Sequence, residues 1–179
     1  GYSAWTNPFN GVRSFVSYEK TRLIVFWSKN PRHLLDEDGC LDYLQTKKIN
    51  CYVQFTLNDY VREGLERGVP AVDERIGTFK ALVDRLGFGR VIWRFDPLIL
   101  TNEISIENLL AKIEYIGDRL KGYTEKLVFS YADIKSYKKV HNNLIKNNVH
   151  YREFSESDMN NFAARLAAMN TKWGYALAT

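Results

Sequence analysis

Apolar residues along this chain fall into two alternating rhythms. Compact runs at Leu23 to Trp27, Cys51 to Phe55, Val91 to Phe95, Leu127 to Tyr131 and Trp173 to Leu177 have the β-branched and aromatic composition of strands. Between them apolar positions recur every three or four residues, the period of a helix with one buried face. Ile76, Phe79, Leu82, Val83 and Leu86 form one such face, with Asp73 as its expected N-cap and Gly87 and Gly89 as its stop. Ile106, Leu109, Leu110, Ile113, Ile116 and Leu120 form the clearest one, ended by Gly122. Pro31 opens a helical stretch that breaks near Gly39 and runs to Lys48. A short basic helix covers Ser136 to Lys146. The last helix starts from Ser155, with Asp158 at capping-box spacing and Met159, Phe162, Ala163, Leu166 and Met169 facing inward.

Strand followed by helix, repeated, implies a parallel sheet with right-handed crossovers. At 179 residues the chain is shorter than the roughly 250 of an eight-unit barrel. The expected fold is therefore α/β: a partial (β/α) barrel, TIM-like, built as one domain over residues 1–179. Asn7-Pro8-Phe9-Asn10-Gly11 marks a turn before an extended stretch at Val12 to Val16. The chain opens on Gly1, and its last residues, Tyr175 to Thr179, read as the middle of a strand. Together these imply a piece of a longer protein. The long connection from Asn58 to Val72 is charged and broken by Gly64, Gly68 and Pro70. A lid or binding loop and a solvated excursion are both open for it.

Composition narrows the function classes. The net charge of +4 permits an anionic ligand without requiring nucleic acid. Cys40 and Cys51 are the only cysteines, lie in no metal-type spacing and build no disulfide framework, so a reduced, cytoplasmic protein is expected, with no metal site. No apolar stretch approaches the ~20 residues that span a bilayer, so no membrane partner is expected. No glycine-rich loop follows a strand, which argues against a nucleotide phosphate site.

Four of the runs end in polar residues, and in parallel α/β proteins the strand C-termini share the ligand-binding face. Trp27, Ser28, Lys29 and Asn30 end the first. Lys29 there suits an anion or a Schiff base. Gln54 and Thr56 are two apart and so point to one side of their strand. They serve either a ligand or an internal hydrogen-bonded network. Arg94 and Asp96 repeat that spacing, as an ion pair or as an anion clamp beside an acceptor. Ser130 and Asp133 end the fourth, where Asp133 equally suits a helix cap. Lys29 and Asp96 are the candidate catalytic residues, and the others the candidate binding set. His33, His141 and His150 have no partner at triad or metal spacing. Lys135, Lys138, Lys139 and Lys146 are most simply a solvated helix face.

The strings Ile24-Val25-Phe26-Trp27-Ser28-Lys29-Asn30-Pro31, Gln54-Phe55-Thr56, Glu74-Arg75-Ile76 and Val91-Ile92-Trp93-Arg94-Phe95-Asp96-Pro97, with Asn7-Pro8-Phe9, resemble domain-of-unknown-function family 1848. The resemblance implies a distant relative of radical S-adenosylmethionine enzymes, whose iron–sulfur cluster would be held by a C-terminal group of cysteines. This chain carries no such cysteines, and it also lacks the Ser-Arg-Arg-rich opening associated with the family. The expectation is then the core of an iron–sulfur, S-adenosylmethionine-type enzyme acting on a small molecule. In that reading Lys29, Gln54, Thr56, Arg94, Asp96 and Ser130 line an anion-accommodating pocket, and any cluster belongs to the longer protein. Two alternatives stand beside it: a metal-independent barrel lyase or hydrolase using Lys29 and Asp96, and a non-catalytic nucleic-acid-binding module using the basic helix near Lys138.

Overall fold

The computed structural model describes residues 2–179. An antiparallel hairpin comes first, β1 (Tyr2–Thr6) and β2 (Arg13–Ser17), turned at Asn7 to Gly11. The main sheet has five strands: β3 (Leu23–Ser28), β4 (Asn50–Thr56), β5 (Val91–Leu98), β7 (Lys126–Tyr131) and β9 (Ala176–Ala178). Every pairing in it is parallel, and the strands lie side by side in chain order. The sheet is open, with β3 and β9 as its edges, so it is an α/β sheet and not a closed barrel.

The connections are a 3-10 turn at Arg32–Leu35 with α1 (Cys40–Thr46), then α2 (Val72–Leu86), then α3 (Ile106–Leu120), then α4 (Lys138–Lys146) with α5 (Glu156–Asn170). A two-residue strand pair, β6 (Leu100–Thr101) with β8 (Tyr151–Arg152), links the loops after β5 and α4. Neither it nor β1 was legible from apolar pattern, because strands of two residues carry no period and β1 is exposed throughout.

The sheet has two unlike faces. Val53, Phe55, Val91, Trp93, Phe95, Leu127 and Phe129 are buried on one. Phe55 stacks on Phe79 of α2, Phe129 meets Phe162 of α5, and Trp93 meets Tyr175, whose hydroxyl donates to the Gly117 carbonyl in α3. The helices thus cover that face and remove its apolar surface from water, the main favourable term in the fold. Leu23, Val25 and Trp27 of β3 point to the opposite face and are exposed, while Tyr52, Ile92 and Val128 beside them are half-buried.

Two expected boundaries move. Helix α2 begins one residue before Asp73, with Ala71 as N-cap. Asp73 sits in the first turn, beside the positive helix end, and accepts from the Tyr115 hydroxyl at 2.6 Å. The last strand starts at Ala176, because Asn170 to Gly174 form a turn in which the N–H groups of Trp173 and Gly174 donate to the Asn170 carbonyl. Ala163 of α5 faces solvent, leaving Phe162 and Leu166 as the buried pair. The Ser155–Asp158 capping box forms as expected, and a second one joins Ser105 to Asn108. Cys40 is exposed and Cys51 buried, both free. No helix among the described residues is long and apolar enough to cross a membrane.

Gly117 is a close-approach position. A Cβ there would lie 2.5 Å from the Trp173 ring, which cannot withdraw because its Nε1–H donates to Asp118 and its face stacks on Tyr175. Gly117→Ala should therefore destabilise the protein by about 1–3 kcal/mol, against the roughly 0.5–1 kcal/mol gain usual for this change inside a helix. Urea unfolding reads the sign directly. A stabilised variant would show that the α3–Trp173 packing is looser than described.

Candidate strand-end site

Side chains alternate across a strand, so the helix-free face carries Trp27 of β3, Gln54 and Thr56 of β4, Arg94 and Asp96 of β5 and Ser130 of β7. Register sets them side by side: Trp27 opposes Gln54, and Thr56 opposes Arg94. All six lie near the C-terminal ends of four adjacent strands, and they form one connected network.

Asp96 is its centre. Arg94 donates to Asp96 Oδ2 from Nε at 3.2 Å and from Nη2 at 2.5 Å, and its Nη1 donates to Gln54 Oε1 at 3.3 Å. The Ser130 hydroxyl donates to Asp96 Oδ1. Trp27 Nε1–H donates to Thr56 Oγ1 at 2.9 Å, and the Arg94 guanidinium lies over the Trp27 ring, 4.5 Å from its centroid. The Arg94 and Asp96 side chains are only 16% and 15% exposed. Their charges cancel, so the pair presents donors and acceptors with no net charge. Of the two readings open for this pair, the structure shows the ion pair, a neutral hydrogen-bonding platform.

A cleft of about 460 Å³ opens beside this network. Asp96, Ser130, Asp133 and the exposed ring of Tyr137 are on its walls. Asp133 also accepts from the Ser136 N–H and hydroxyl, which makes it a turn cap at the rim. Ser28 accepts from the Asn30 N–H in a tight turn. Neither Ser28 nor Asn30 joins the network.

Lys29 also turns away from it. Its ammonium pairs with Glu66 Oε1 at 2.6 Å. Glu66 is buried, with a side chain 1% exposed, and its other oxygen accepts from the Tyr60 N–H at 3.3 Å and faces Arg75 Nη2 at 3.5 Å. Arg75 is fully buried in α2, and its Nη2 donates to the Asn58 carbonyl at 2.7 Å. The Asn58 side chain then reaches Asp96: Nδ2 donates to the Asp96 carbonyl at 3.1 Å, and Oδ1 accepts from the Asp96 N–H at 2.8 Å. This side-chain amide continues the β4–β5 ladder where the β4 backbone leaves the sheet. Tyr60 donates its hydroxyl to the Pro97 carbonyl at 3.0 Å, and burial pushes its phenol far above the ordinary value, so it stays a donor. On the other flank Lys112 of α3 pairs with Glu63 at 2.9 Å and faces Asp59 at 3.7 Å. The connection after β4 is therefore pinned at both flanks and is no solvated excursion.

Asn58, Tyr60, Glu66 and Arg75 were missing from the sequence-based site. One of them did leave a signal. Arg75 falls on the same helical stripe as Phe79, Leu82, Val83 and Leu86, and a charge on an apolar stripe demands a buried partner. Asn58, Tyr60 and Glu66 gave none, because their partners depend on the loop's path.

The family model described as Domain of unknown function (DUF1848) matches residues 1–179, the whole chain. The chain belongs to this family. No curated protein and no solved structure matches it. Trp27, Gln54, Thr56, Arg94 and Asp96, from the strings that carried the resemblance, meet in the network, and Arg75 supports it from behind. An iron–sulfur cluster finds no seat among the described residues. Cys40 is exposed at the start of α1, Cys51 is buried in β4, and no three His, Cys, Asp or Glu side chains converge as metal ligands.

Glu66→Gln removes the negative charge shared by Arg75 and Lys29. The loss should be about 3 kcal/mol in urea unfolding, because it leaves a buried guanidinium without a counter-charge. Adding Arg75→Met to it should recover part of that loss. A single-variant loss under about 1 kcal/mol would remove the buried ion pair as a support of the loop.

Proposed function

We propose that this chain is the strand half of a (β/α) barrel enzyme core that binds a small, neutral, hydrogen-bonding molecule at the C-terminal ends of β4, β5 and β7. The barrel reading is favoured by parallel strands laid down in chain order, with helices on one face only; a doubly wound sheet reverses its order and carries helices on both. The observation that carries the binding reading is the network of Gln54, Arg94, Asp96 and Ser130, of which Asp96 and Ser130 reach the wall of a cleft.

The roles follow from the contacts. Asp96 is fixed by Arg94 on one oxygen and shares its other with the Ser130 hydroxyl, so it is the acceptor for a ligand N–H or O–H. Ser130 donates to a ligand oxygen when it turns from Asp96. Arg94 fixes the carboxylate and supplies its remaining N–H groups. Lys29 is held by Glu66 outside the network, so in this reading it supports the loop and does not touch the ligand.

Succinamide and succinate share a skeleton and differ in charge, so titrating both against isotope-labelled protein tests the reading. Succinamide should shift the backbone amides of Asp96 and Ser130 saturably, and Ser130→Ala should weaken it about tenfold, the value of a lost charge-linked hydrogen bond. Tighter binding of succinate would restore the anion site. Shifts confined to other regions would end the proposal.

A further inference from the structure

The wall of the cleft beside Asp96 and Ser130 has two unlike parts. Those two residues, on neighbouring strands β5 and β7, supply hydrogen-bonding groups, and the Ser130 hydroxyl joins them by donating to Asp96 Oδ1. The rest of the wall is mostly carbon. Pro97 and Ala132 continue it from the strand ends, and Ile134 is buried within it. Tyr137 and Val140 complete it at 66% and 45% exposed.

The polar groups along that second part are already committed. The Tyr131 hydroxyl donates to the Met159 carbonyl of α5 at 3.1 Å, and its ring packs on Phe154 and Phe162. The Ala132 N–H donates to the Leu98 carbonyl at 2.9 Å. Asp133 accepts from Ser136 within its own turn. A ligand in the cleft therefore finds its hydrogen-bond partners chiefly at Asp96 and Ser130, and carbon elsewhere. Tyr137 and Val140 are three residues apart at the start of α4, so they share one side of it. Ile145, exposed on the same helix, does not line the cleft. Apolar side chains scattered singly on a surface carry no meaning, whereas a set gathered on one concave wall marks a place for a ligand.

We propose that the strand-end site takes an amphipathic ligand: an uncharged amide- or hydroxyl-type head on an apolar body about one six-membered ring in size. The head meets Asp96 and Ser130, and the body lies against Pro97, Ile134, Tyr137 and Val140. The cleft volume of about 460 Å³ is within the usual span of small-molecule sites. This rests on the binding reading above and adds an apolar body, which the polar network alone does not require.

Acetamide, succinamide and cyclohexanecarboxamide share one head and differ in what it is attached to: almost nothing, a polar chain and an apolar ring. Each is titrated against the isotope-labelled whole chain, following the backbone amides of Asp96 and Ser130 and the methyl groups of Val140 by NMR. Cyclohexanecarboxamide should bind about tenfold more tightly than acetamide, the gain from removing roughly 60 Å² of apolar surface from water. It should shift Asp96, Ser130 and Val140 together. Succinamide should stay within about threefold of acetamide, since its second amide gains little from a carbon wall. Tyr137→Ala combined with Val140→Ala should cut the tenfold advantage to below about threefold and leave acetamide unchanged. Ile145→Ala should leave the advantage intact. All three side chains are exposed, so urea unfolding should change little in either variant.

Equal affinity for acetamide and cyclohexanecarboxamide, or an advantage that survives the double variant, overturns the apolar wall, while acetamide or succinamide shifts at Asp96 and Ser130 leave the polar site standing. Cyclohexanecarboxamide shifts at Val140 without shifts at Asp96 and Ser130 overturn it as well. If none of the three probes binds, the polar site and the apolar wall fall together.

Discussion

Asn58 holds Asp96 by both of its backbone polar groups, and the rest of the strand-end architecture depends on that grip. Strand β4 stops at Thr56, while β5 continues to Leu98. Without a partner, the Asp96 N–H and C=O would leave the ladder within a part-buried region, at the cost of unmet hydrogen bonds. The Asn58 amide stands in for the missing strand. It can do so only because its own backbone is fixed from below by Arg75, which is itself balanced by Glu66, which in turn meets Lys29 from β3's end. A chain of charges thus crosses from the first strand to the third beneath the loop. Buried charges are a weak source of net stability but a strong determinant of geometry, because each is costly if left alone. Here the geometry they determine is the position of one carboxylate.

The same chain explains why Lys29 and Arg94, two cations near the ends of β3 and β5, have opposite fates. Lys29 is turned into the support layer by a buried glutamate. Arg94 stays on the open face, neutralised by Asp96 and flattened against Trp27. The outcome is a site with a fixed carboxylate bonded to a hydroxyl and linked through Arg94 to an amide, no free charge, and an aromatic ring against the guanidinium.

Much of this was legible in the sequence because period-two alternation fixes which side chains share a face. The pairs Gln54–Thr56 and Arg94–Asp96 had to point the same way on their strands, and the runs that carry them had to be parallel neighbours once helices intervened. The sequence left open whether Gln54 and Thr56 served a ligand or an internal network, and the fold shows them bonded within the network. What stayed hidden was every contact made through a loop. Glu66 and Tyr60 sit in a stretch punctuated by Gly64 and Gly68, and no local rule says that such a stretch runs back beneath the sheet end. Asp133 was ambiguous between pocket and cap for a simple reason: it lines the cleft and caps a turn at once. The short strands β6 and β8 and the exposed hairpin strand β1 lacked the buried alternation that makes a strand visible.

The central claim is that Asp96 is held in place before any ligand arrives. Amide hydrogen exchange at its backbone N–H tests this most directly, since that N–H donates to a side chain and lies beside an open cleft. Slow exchange, comparable to the core amides of β5, with loss of that protection in Asn58→Ala, is the expected result. Fast exchange at Asp96 in the unaltered protein, while the β5 core stays protected, would contradict a preformed site.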